Sequence, residues 1–163
     1  IRGLRTMTEA PCAICQGRSA DASLDRVEVW QDDLWRLTMS LSGETLGFSY
    51  LESKRHIRYI TELDGEEAAS FGAILQRVTS VLKTVTDADA VYIYVFGDGV
   101  PHLHLHLAPH VAGDALNNCF VRGAVTEEKL PNGFTRIVSQ EFPLLPVAQQ
   151  QDIAEKVKRL LAR

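Results

Sequence analysis

The segment His102-Leu103-His104-Leu105-His106 constrains the fold of this chain more than any other part of the sequence. Side chains at alternate positions of a β-strand point to the same face of the sheet. The three imidazoles are therefore expected on one face, while the leucines between them point into a core. Neutral imidazoles suit metal binding, nucleophilic attack and proton transfer near neutral pH. We therefore favour a functional site over the two alternatives, a chance polar face and a lone metal site.

Composition and charge narrow the class of protein. The chain has 163 residues, 45% hydrophobic and 23% charged, which is ordinary for a soluble globular protein. A net charge of -4 gives no long-range attraction to nucleic acid or anionic membranes, so a local site must hold any anionic ligand. No apolar run approaches the roughly 20 residues of a membrane helix, and Ile1–Pro11 lacks the apolar centre of a signal peptide. We expect a cytoplasmic protein with a flexible tail over residues 1–11 and a single domain over 12–163.

Hydrophobic periodicity predicts the secondary structure. Strands are expected at Arg26–Trp30, Leu34–Met39, Gly47–Glu52, Ala90–Phe96 and Pro101–Leu107. Apolar residues at helical spacing predict a helix over Gly65–Thr86, with Asp64 as its N-cap and Glu67 at capping-box spacing. A second amphipathic helix begins near Pro146, and residues 109–145 hold only short strand-like pieces such as Phe134–Val138. This order predicts an α+β fold with a mostly antiparallel sheet, one long central helix and a C-terminal helix.

Cys12 and Cys15 have the Cys-x2-Cys spacing that lets one turn present two thiolates to a metal ion. Two alternatives remain open from the residues alone. One is a redox motif, which normally opens a helix in a βαβ unit, although here a proline precedes the motif. The other is a pair of packed cysteines without a metal. The third cysteine, Cys119, stands alone, so the count does not suggest a disulfide framework.

Residues 102–108 resemble the signature of the histidine triad (HIT) family, His-φ-His-φ-His-φ-φ, in which φ is apolar. Ser53-Lys54-Arg55-His56-Ile57 resembles the family's Pro-Lys-x-His-Ile segment. Gly47 stands at the distance from His56 where the family often has glycine. The Cys-x-x-Cys motif is similar to the zinc knuckle of many bacterial members. The resemblance covers roughly residues 12–110 and implies a HIT-like fold.

The resemblance also implies a chemistry. In the family the middle histidine, here His104, attacks the α-phosphorus of a nucleotide and forms a nucleotidyl-histidine intermediate that water or another acceptor resolves. His106 would donate to a phosphate oxygen or to the leaving group. The implied activity is a nucleotide phosphohydrolase or nucleotidyl transferase acting on a nucleoside phosphate ester, anhydride or phosphoramidate.

The resemblance implies a structural zinc and a homodimer as well. Zinc-containing members complete the Cys-x-x-Cys site with the histidine of Pro-Lys-x-His and the first histidine of the triad. The implied ligands are therefore Cys12, Cys15, His56 and His102. Family members commonly pair as dimers through the long helix and an edge strand. The expected partners are thus a nucleotide-type small molecule and a second copy of the chain, without nucleic acid or membrane.

Three positions depart from the family pattern and are our candidate substrate-binding residues. The segment from Phe96 to Pro101 is shorter than the family's phosphate-binding loop, and Asp98 stands where a glutamine is expected. A carboxylate facing a phosphate is repulsive, so Asp98 is expected to orient a histidine or to bind a hydroxyl. Ser40 occupies the place of the ribose-binding aspartate. His110 replaces a common arginine, either as a phosphate donor or as an exposed loop histidine.

These departures leave two other classes of function open. One is a non-catalytic, zinc-stabilised nucleotide-binding protein with a degenerate phosphate loop. The other is a metalloenzyme in which several histidines hold a catalytic metal, which would require three protein ligands and an open coordination position.

Overall fold

The computed structural model describes residues 11–114, 116, 125–139 and 143–163. Those residues contain strands β1 Arg26–Gln31, β2 Trp35–Ser40, β3 Ser49–Ser53, β4 Ala90–Tyr94, β5 His104–His110, β6 Val125–Lys129 and β7 Thr135–Ser139. They also contain helices α1 Arg18–Asp21, α2 Gly65–Thr86 and α3 Val147–Leu161, with a 3-10 turn at Ile60–Glu62. The tail predicted for residues 1–11 lies outside the described residues except for Pro11, and so does Cys119. Among the helices described, none combines the length and the apolarity needed to cross a membrane.

Five strands form one antiparallel sheet in the order β1-β2-β3-β5-β4. The long helix α2 connects β3 to β4, so that β4 reaches the edge of the sheet and β5 returns between β3 and β4. The predicted α+β fold, with a mostly antiparallel sheet, a long helix and a C-terminal helix, is therefore confirmed.

One face of this sheet forms the core. Alternate residues on the central strands, among them Leu37, Leu51, Leu105 and Leu107, are at most 1% exposed. Helices α2 and α3 cover them with Val78, Leu82, Ile153, Val157 and Leu161. Burying one leucine completely stabilises the fold by about 1.5–3 kcal/mol. The apolar half of the strand alternation therefore fixes which face of β5 the histidines must occupy.

Helix α2 has the predicted bounds, Gly65–Thr86, and a cap at each end. The Asp64 carboxylate accepts a hydrogen bond from the backbone N–H of Gly65 at 2.7 Å. The helix ends at Asp87, whose left-handed backbone (φ +53°) lets its N–H reach two carbonyl oxygens of the last turn. Glu67 does not complete the predicted capping box, because its carboxylate binds Arg55 at 2.7 Å instead.

Gly47 lies in the turn before β3 and contacts both helices that cover the core. Its φ of +73° lies in the left-handed region, and a Cβ there would stand 2.7 Å from the Thr86 methyl carbon. Its backbone N–H donates to the buried side chain of Gln150 at 3.0 Å. This position therefore requires glycine for both conformation and space.

Strands β6 and β7 form a separate antiparallel hairpin. The strand-like piece predicted at Phe134–Val138 lies largely within β7, whereas its partner β6 was not predicted. The hairpin is fixed to the turn before β1, since Asn132 donates to the Ser23 hydroxyl at 2.7 Å and Arg136 pairs with Asp25.

Candidate active site and metal centre

The sheet face opposite the helices carries the predicted site. Strand register places His104 beside Glu52 of β3, and His106 between Tyr50 of β3 and Tyr94 of β4. Strand β5 begins at His104 rather than at the predicted Pro101. His102 therefore precedes the regular strand, where its ring contacts residues from two other segments.

Those segments bring four metal-binding side chains together. The nearest nitrogen or sulfur atoms of Cys12, Cys15, His56 and His102 all lie within 4.8 Å of one another. Cys15 Sγ lies 3.1 Å from His56 Nδ1 and 3.4 Å from His102 Nδ1, and Cys12 Sγ lies 3.3 Å from His102 Nδ1. Sulfur and nitrogen ligands around one tetrahedral zinc ion would stand about 3.5 Å apart. The cluster therefore has the size and donor set of a structural Cys2His2 zinc site.

The surroundings of the cluster support this assignment. His102 Nε2 lies 2.6 Å from the Ser53 carbonyl oxygen. Because a carbonyl only accepts, the proton is on Nε2, and the Nδ1 lone pair faces the two sulfurs. Partial burial, followed by the hydrogen bond and charge of Cys12, raises the pKa of Cys15 to about 11. A bound cation would offset this cost and hold both sulfurs as thiolates.

His104 is oriented by the backbone of the same segment. Its Nδ1 lies 2.6 Å from the carbonyl oxygen of His102, so the proton is on Nδ1 and the lone pair is on Nε2. Burial of the side chain lowers the pKa of His104, and the charge of Arg26 lowers it further. Both effects favour the neutral imidazole, which is the nucleophilic form.

His106 stands in a group of aromatic rings next to His104. The two imidazole centroids are 5.0 Å apart. Tyr50, Tyr94 and Phe96 surround the His106 ring at 5.4, 4.9 and 5.6 Å. The site thus combines one oriented neutral imidazole with a second imidazole that aromatic packing holds beside it.

A buried ionic cluster lies on the same sheet face, on the β3 side of His104. It was not predicted from the sequence. The cluster consists of Asp21, Arg26, Glu28, Arg36 and Glu52, joined by five ion pairs. Glu52 is fully buried and also accepts from the Thr38 hydroxyl at 3.0 Å. The sequence does contain a signal for this cluster. Charged residues occupy alternating positions in three successive strands, and their side chains share the sheet face of the histidines.

The three candidate substrate-binding residues lie at separate places. Ser40 is buried at the end of β2, and its hydroxyl donates to the carbonyl of Ser42 at 3.1 Å. Asp98 is exposed in the loop before His102. His110 stacks on Tyr92 with centroids 4.7 Å apart and hydrogen-bonds Asp114 at 2.9 Å. His110 lies six positions after His104 along β5, a distance of about 20 Å, so the structure does not bring these two histidines together.

Comparison with known proteins places this geometry in a family. The HIT domain family model matches residues 23–112. An uncharacterized HIT-like protein of Mycobacterium tuberculosis, found in two strains, is 28% identical over 113 residues, which cover 66% of this chain and 76% of the relative.

Two solved structures share the fold. A Zn-bound histidine triad family protein from Mycobacterium smegmatis has a TM-score of 0.62 at 20% identity, covering 93% of this chain and 94% of that one. A hypothetical histidine triad nucleotide-binding protein from Sulfolobus tokodaii has a TM-score of 0.64 at 17% identity, covering 93% and 92%. The family model spans more than half of this chain and includes the histidine strand, so the protein belongs to the HIT family.

Proposed function

We propose that this protein is a nucleotide phosphohydrolase or nucleotidyl transferase in which His104 is the nucleophile. The hydrogen bond between His104 Nδ1 and the His102 carbonyl carries the proposal. It fixes the imidazole with an unprotonated Nε2, which is the form that attack on phosphorus requires. The substrate class is a nucleoside phosphate ester, anhydride or phosphoramidate, in line with the nucleotide-binding character of the family.

The proposed reaction has two steps. The Nε2 lone pair of His104 forms a bond to the α-phosphorus, while the bond to the leaving group breaks and the leaving group departs with the electron pair and takes up a proton. Water then attacks the same phosphorus and gives up one proton, which balances the proton taken by the leaving group, as the N–P bond breaks; this releases a nucleoside monophosphate and restores His104. An acceptor other than water would give nucleotidyl transfer. Two displacements at one site predict retained configuration at phosphorus.

The neighbouring residues have supporting roles in this proposal. His106, held by Tyr50 and Tyr94, donates to a phosphate oxygen or to the leaving group, which favours the charge that develops in the transition state. Asp98 and Ser40 remain proposed contacts for hydroxyl groups of the substrate. His110 could contact only a part of the substrate far from the reacting phosphorus, given its distance along β5.

The zinc ion has a structural role in the proposal. Cys12, Cys15, His56 and His102 supply four protein ligands, which fills a tetrahedral zinc ion and leaves no open position for substrate. When bound, the metal would hold the N-terminal knuckle against the segment that leads into β5. This donor set favours the structural role over the metalloenzyme alternative.

We also propose a homodimer that forms along β4. This strand is an edge of the sheet, and Tyr92, Ile93 and Val95 on or next to it are 43%, 45% and 38% exposed. An exposed apolar edge strand is a template for pairing with another strand. Sedimentation analysis of the wild type and of Ile93→Lys tests this proposal. A wild type that stays monomeric at micromolar concentration would contradict it.

The catalytic proposal is tested with the zinc-loaded chain and a panel of diadenosine polyphosphates, adenosine 5′-phosphoramidate, ADP and UDP-sugars. Release of nucleoside monophosphate is followed for the wild type and for His104→Ala. Release that disappears in a folded, zinc-containing His104→Ala protein is the expected result. Equal release by both proteins would show that His104 is not the nucleophile.

A non-catalytic binding protein is the second candidate, because Asp98 is the only polar side chain between Gly97 and Pro101. The same experiment separates the two. A binding protein would bind nucleotides without releasing product, and His104→Ala would lower only the affinity.

A further inference from the structure

Phe96 is an exposed aromatic residue at the proposed site. Its side chain is 53% exposed, although its ring lies 5.6 Å from the His106 ring and 5.3 Å from the Tyr94 ring. It follows Tyr94 by two residues, the spacing that keeps side chains on one face of an extended segment. One side of the ring is therefore packed against the site, and the other side is open.

The backbone next to this ring is held in place. Gly97 has a φ of +77°, and its carbonyl oxygen accepts a hydrogen bond from Arg58 Nε at 3.1 Å. The Tyr59 ring packs 3.6 Å from the position that a Cβ on Gly97 would occupy. Phe96 is thus held by ring contacts of its side chain and by the anchored turn that follows it in the backbone. A ring held in this way loses little side-chain entropy when a ligand packs on it.

The exposure of Phe96 is not explained by its position next to an edge strand. Ile93 and Val95 are also exposed, but strand alternation directs them to the opposite face, toward the helix layer. Phe96 is on the face of His104 and His106. A partner strand pairing along β4 would use the backbone and leave this face accessible.

From these contacts we infer that the Phe96 ring stacks against a planar ring of the substrate and positions the phosphorus at His104. This inference rests on the proposed function and narrows its substrate class to compounds that carry a planar ring near the reacting phosphate. A phenyl ring offers no hydrogen bonds, so the platform recognises the flat apolar face of the ligand rather than its edge. The ring is either the nucleobase or an aromatic leaving group.

Binding of three phosphates to the zinc-loaded full chain tests the inference. Ribose 5-phosphate carries a hydroxyl where AMP carries the base, and phenyl phosphate carries a ring in the position of a leaving group. Calorimetric titrations are made with the wild type, Phe96→Ala, Phe96→Leu and Phe96→Tyr. Phe96→Leu keeps apolar volume without a flat ring, and Phe96→Tyr restores the ring. Val147→Ala removes an apolar side chain of similar exposure, 51%, from helix α3.

If the base stacks, the affinity advantage of AMP over ribose 5-phosphate falls about tenfold in Phe96→Ala and Phe96→Leu. Phe96→Tyr and Val147→Ala keep this advantage. If the leaving group stacks, the affinity for phenyl phosphate falls about tenfold in Phe96→Ala and Phe96→Leu. The affinity advantage of AMP over ribose 5-phosphate is then unchanged. Either pattern supports the inference and identifies the ring.

Unchanged affinities for both ring-bearing ligands in Phe96→Ala, or a wild type that binds neither, would overturn the inference. Product release that depends on His104 in the substrate panel would show that the proposed function nevertheless holds. If the wild type also releases no product in that panel, both the inference and the proposed function have failed.

Discussion

The Nδ1 atom of His104 lies 2.6 Å from the carbonyl oxygen of His102, whose ring is part of the metal cluster. His102 therefore takes part in both sites, with its side chain in the metal centre and its backbone against the proposed nucleophile. The position of the His104 imidazole therefore depends on how firmly His102 is held. Metal binding and the proposed catalysis would thereby be linked through His102.

Removal of a metal ligand should lower both zinc content and stability. In Cys12→Ser we expect about one zinc ion less per chain and a melting temperature lower by roughly 10 °C, because binding energy at a structural site contributes to folding. Elemental analysis and thermal denaturation measure the two quantities. Cys119→Ser removes a thiol that is not among the predicted ligands and serves as the control. Unchanged zinc content in Cys12→Ser would refute the ligand assignment.

Truncation of His106 should affect turnover rather than binding. We expect kcat in His106→Ala to fall by about 100- to 1000-fold with a small change in KM, since a donor aimed at developing charge acts mainly in the transition state. Steady-state kinetics on the best substrate of the panel provide the measurement. An increase in KM at constant kcat would instead make His106 a ground-state binding residue.

The buried arginine of the ionic cluster should matter far more than an exposed one with the same partner. Arg36 and Arg18 both bind Glu28, but their side chains are 7% and 76% exposed. Arg36→Met removes a cation shared by two buried carboxylates, Asp21 and Glu52, and by the partly buried Glu28, and should lower the free energy of unfolding by about 3–5 kcal/mol. Arg18→Met should change it little, because solvent screens a pair with an exposed arginine. Urea denaturation compares them, and equal losses would contradict the role given to burial.

Sequence patterns were sufficient for the sheet and for the long helix. The period of strand side chains is two, so the alternation in residues 102–107 specified the core face of β5 without any knowledge of its neighbours. Asp64 and the apolar spacing behind it specified the start of α2 at Gly65. The metal ligands came from a family resemblance, and the structure brings those four side chains together.

Features that depend on register between distant segments were not predicted. The pairing of Arg26 with Glu52 requires β1, β2 and β3 to align at one particular offset, which no local pattern encodes. The hydrogen bond from His104 to the His102 carbonyl involves the backbone, which every residue carries. Strand β6 was missed because its sequence shows charged residues without a clear apolar alternation.

Two glycines should respond to alanine with opposite signs. Gly47→Ala forces a left-handed backbone on alanine and places its Cβ 2.7 Å from the Thr86 methyl carbon. We expect a loss of about 1–3 kcal/mol in the free energy of unfolding. Gly72 lies within α2, where a Cβ would meet none of the described atoms beyond its own helix within 4 Å, so Gly72→Ala should gain about 0.5–1 kcal/mol. Chemical denaturation measures both, and a stable Gly47→Ala protein would disprove the steric argument.

The turn that anchors Arg58 should weaken in acid. Hydrogen bonds from the backbone N–H groups of Tyr59 and Arg58 hold the pKa of Glu62 below its usual range. Because the folded-state pKa is lowered, the contribution of Glu62 is complete above its unfolded pKa of about 4.3 and is lost as the pH falls through the folded value. The stability difference between the wild type and Glu62→Gln should therefore be largest near neutral pH and disappear in acid.

Urea midpoints of both proteins, measured from pH 7 down to about pH 3, test this pH dependence. Glu66→Gln changes a carboxylate in the first turn of α2 and provides the matched control for net charge. A difference between wild type and Glu62→Gln that grows toward low pH would have the wrong sign.

Strand β5 is hydrogen-bonded on both sides, to β3 and to β4. Adding or deleting one residue within it would move the side chains beyond that point to the opposite face, turning imidazoles into the apolar core and leucines toward the proposed site. A change in the length of this strand should thus disturb both faces at once, whereas a single replacement affects only one. During divergence, length variation is therefore expected in the loops, while the spacing from His102 to His106 stays constant.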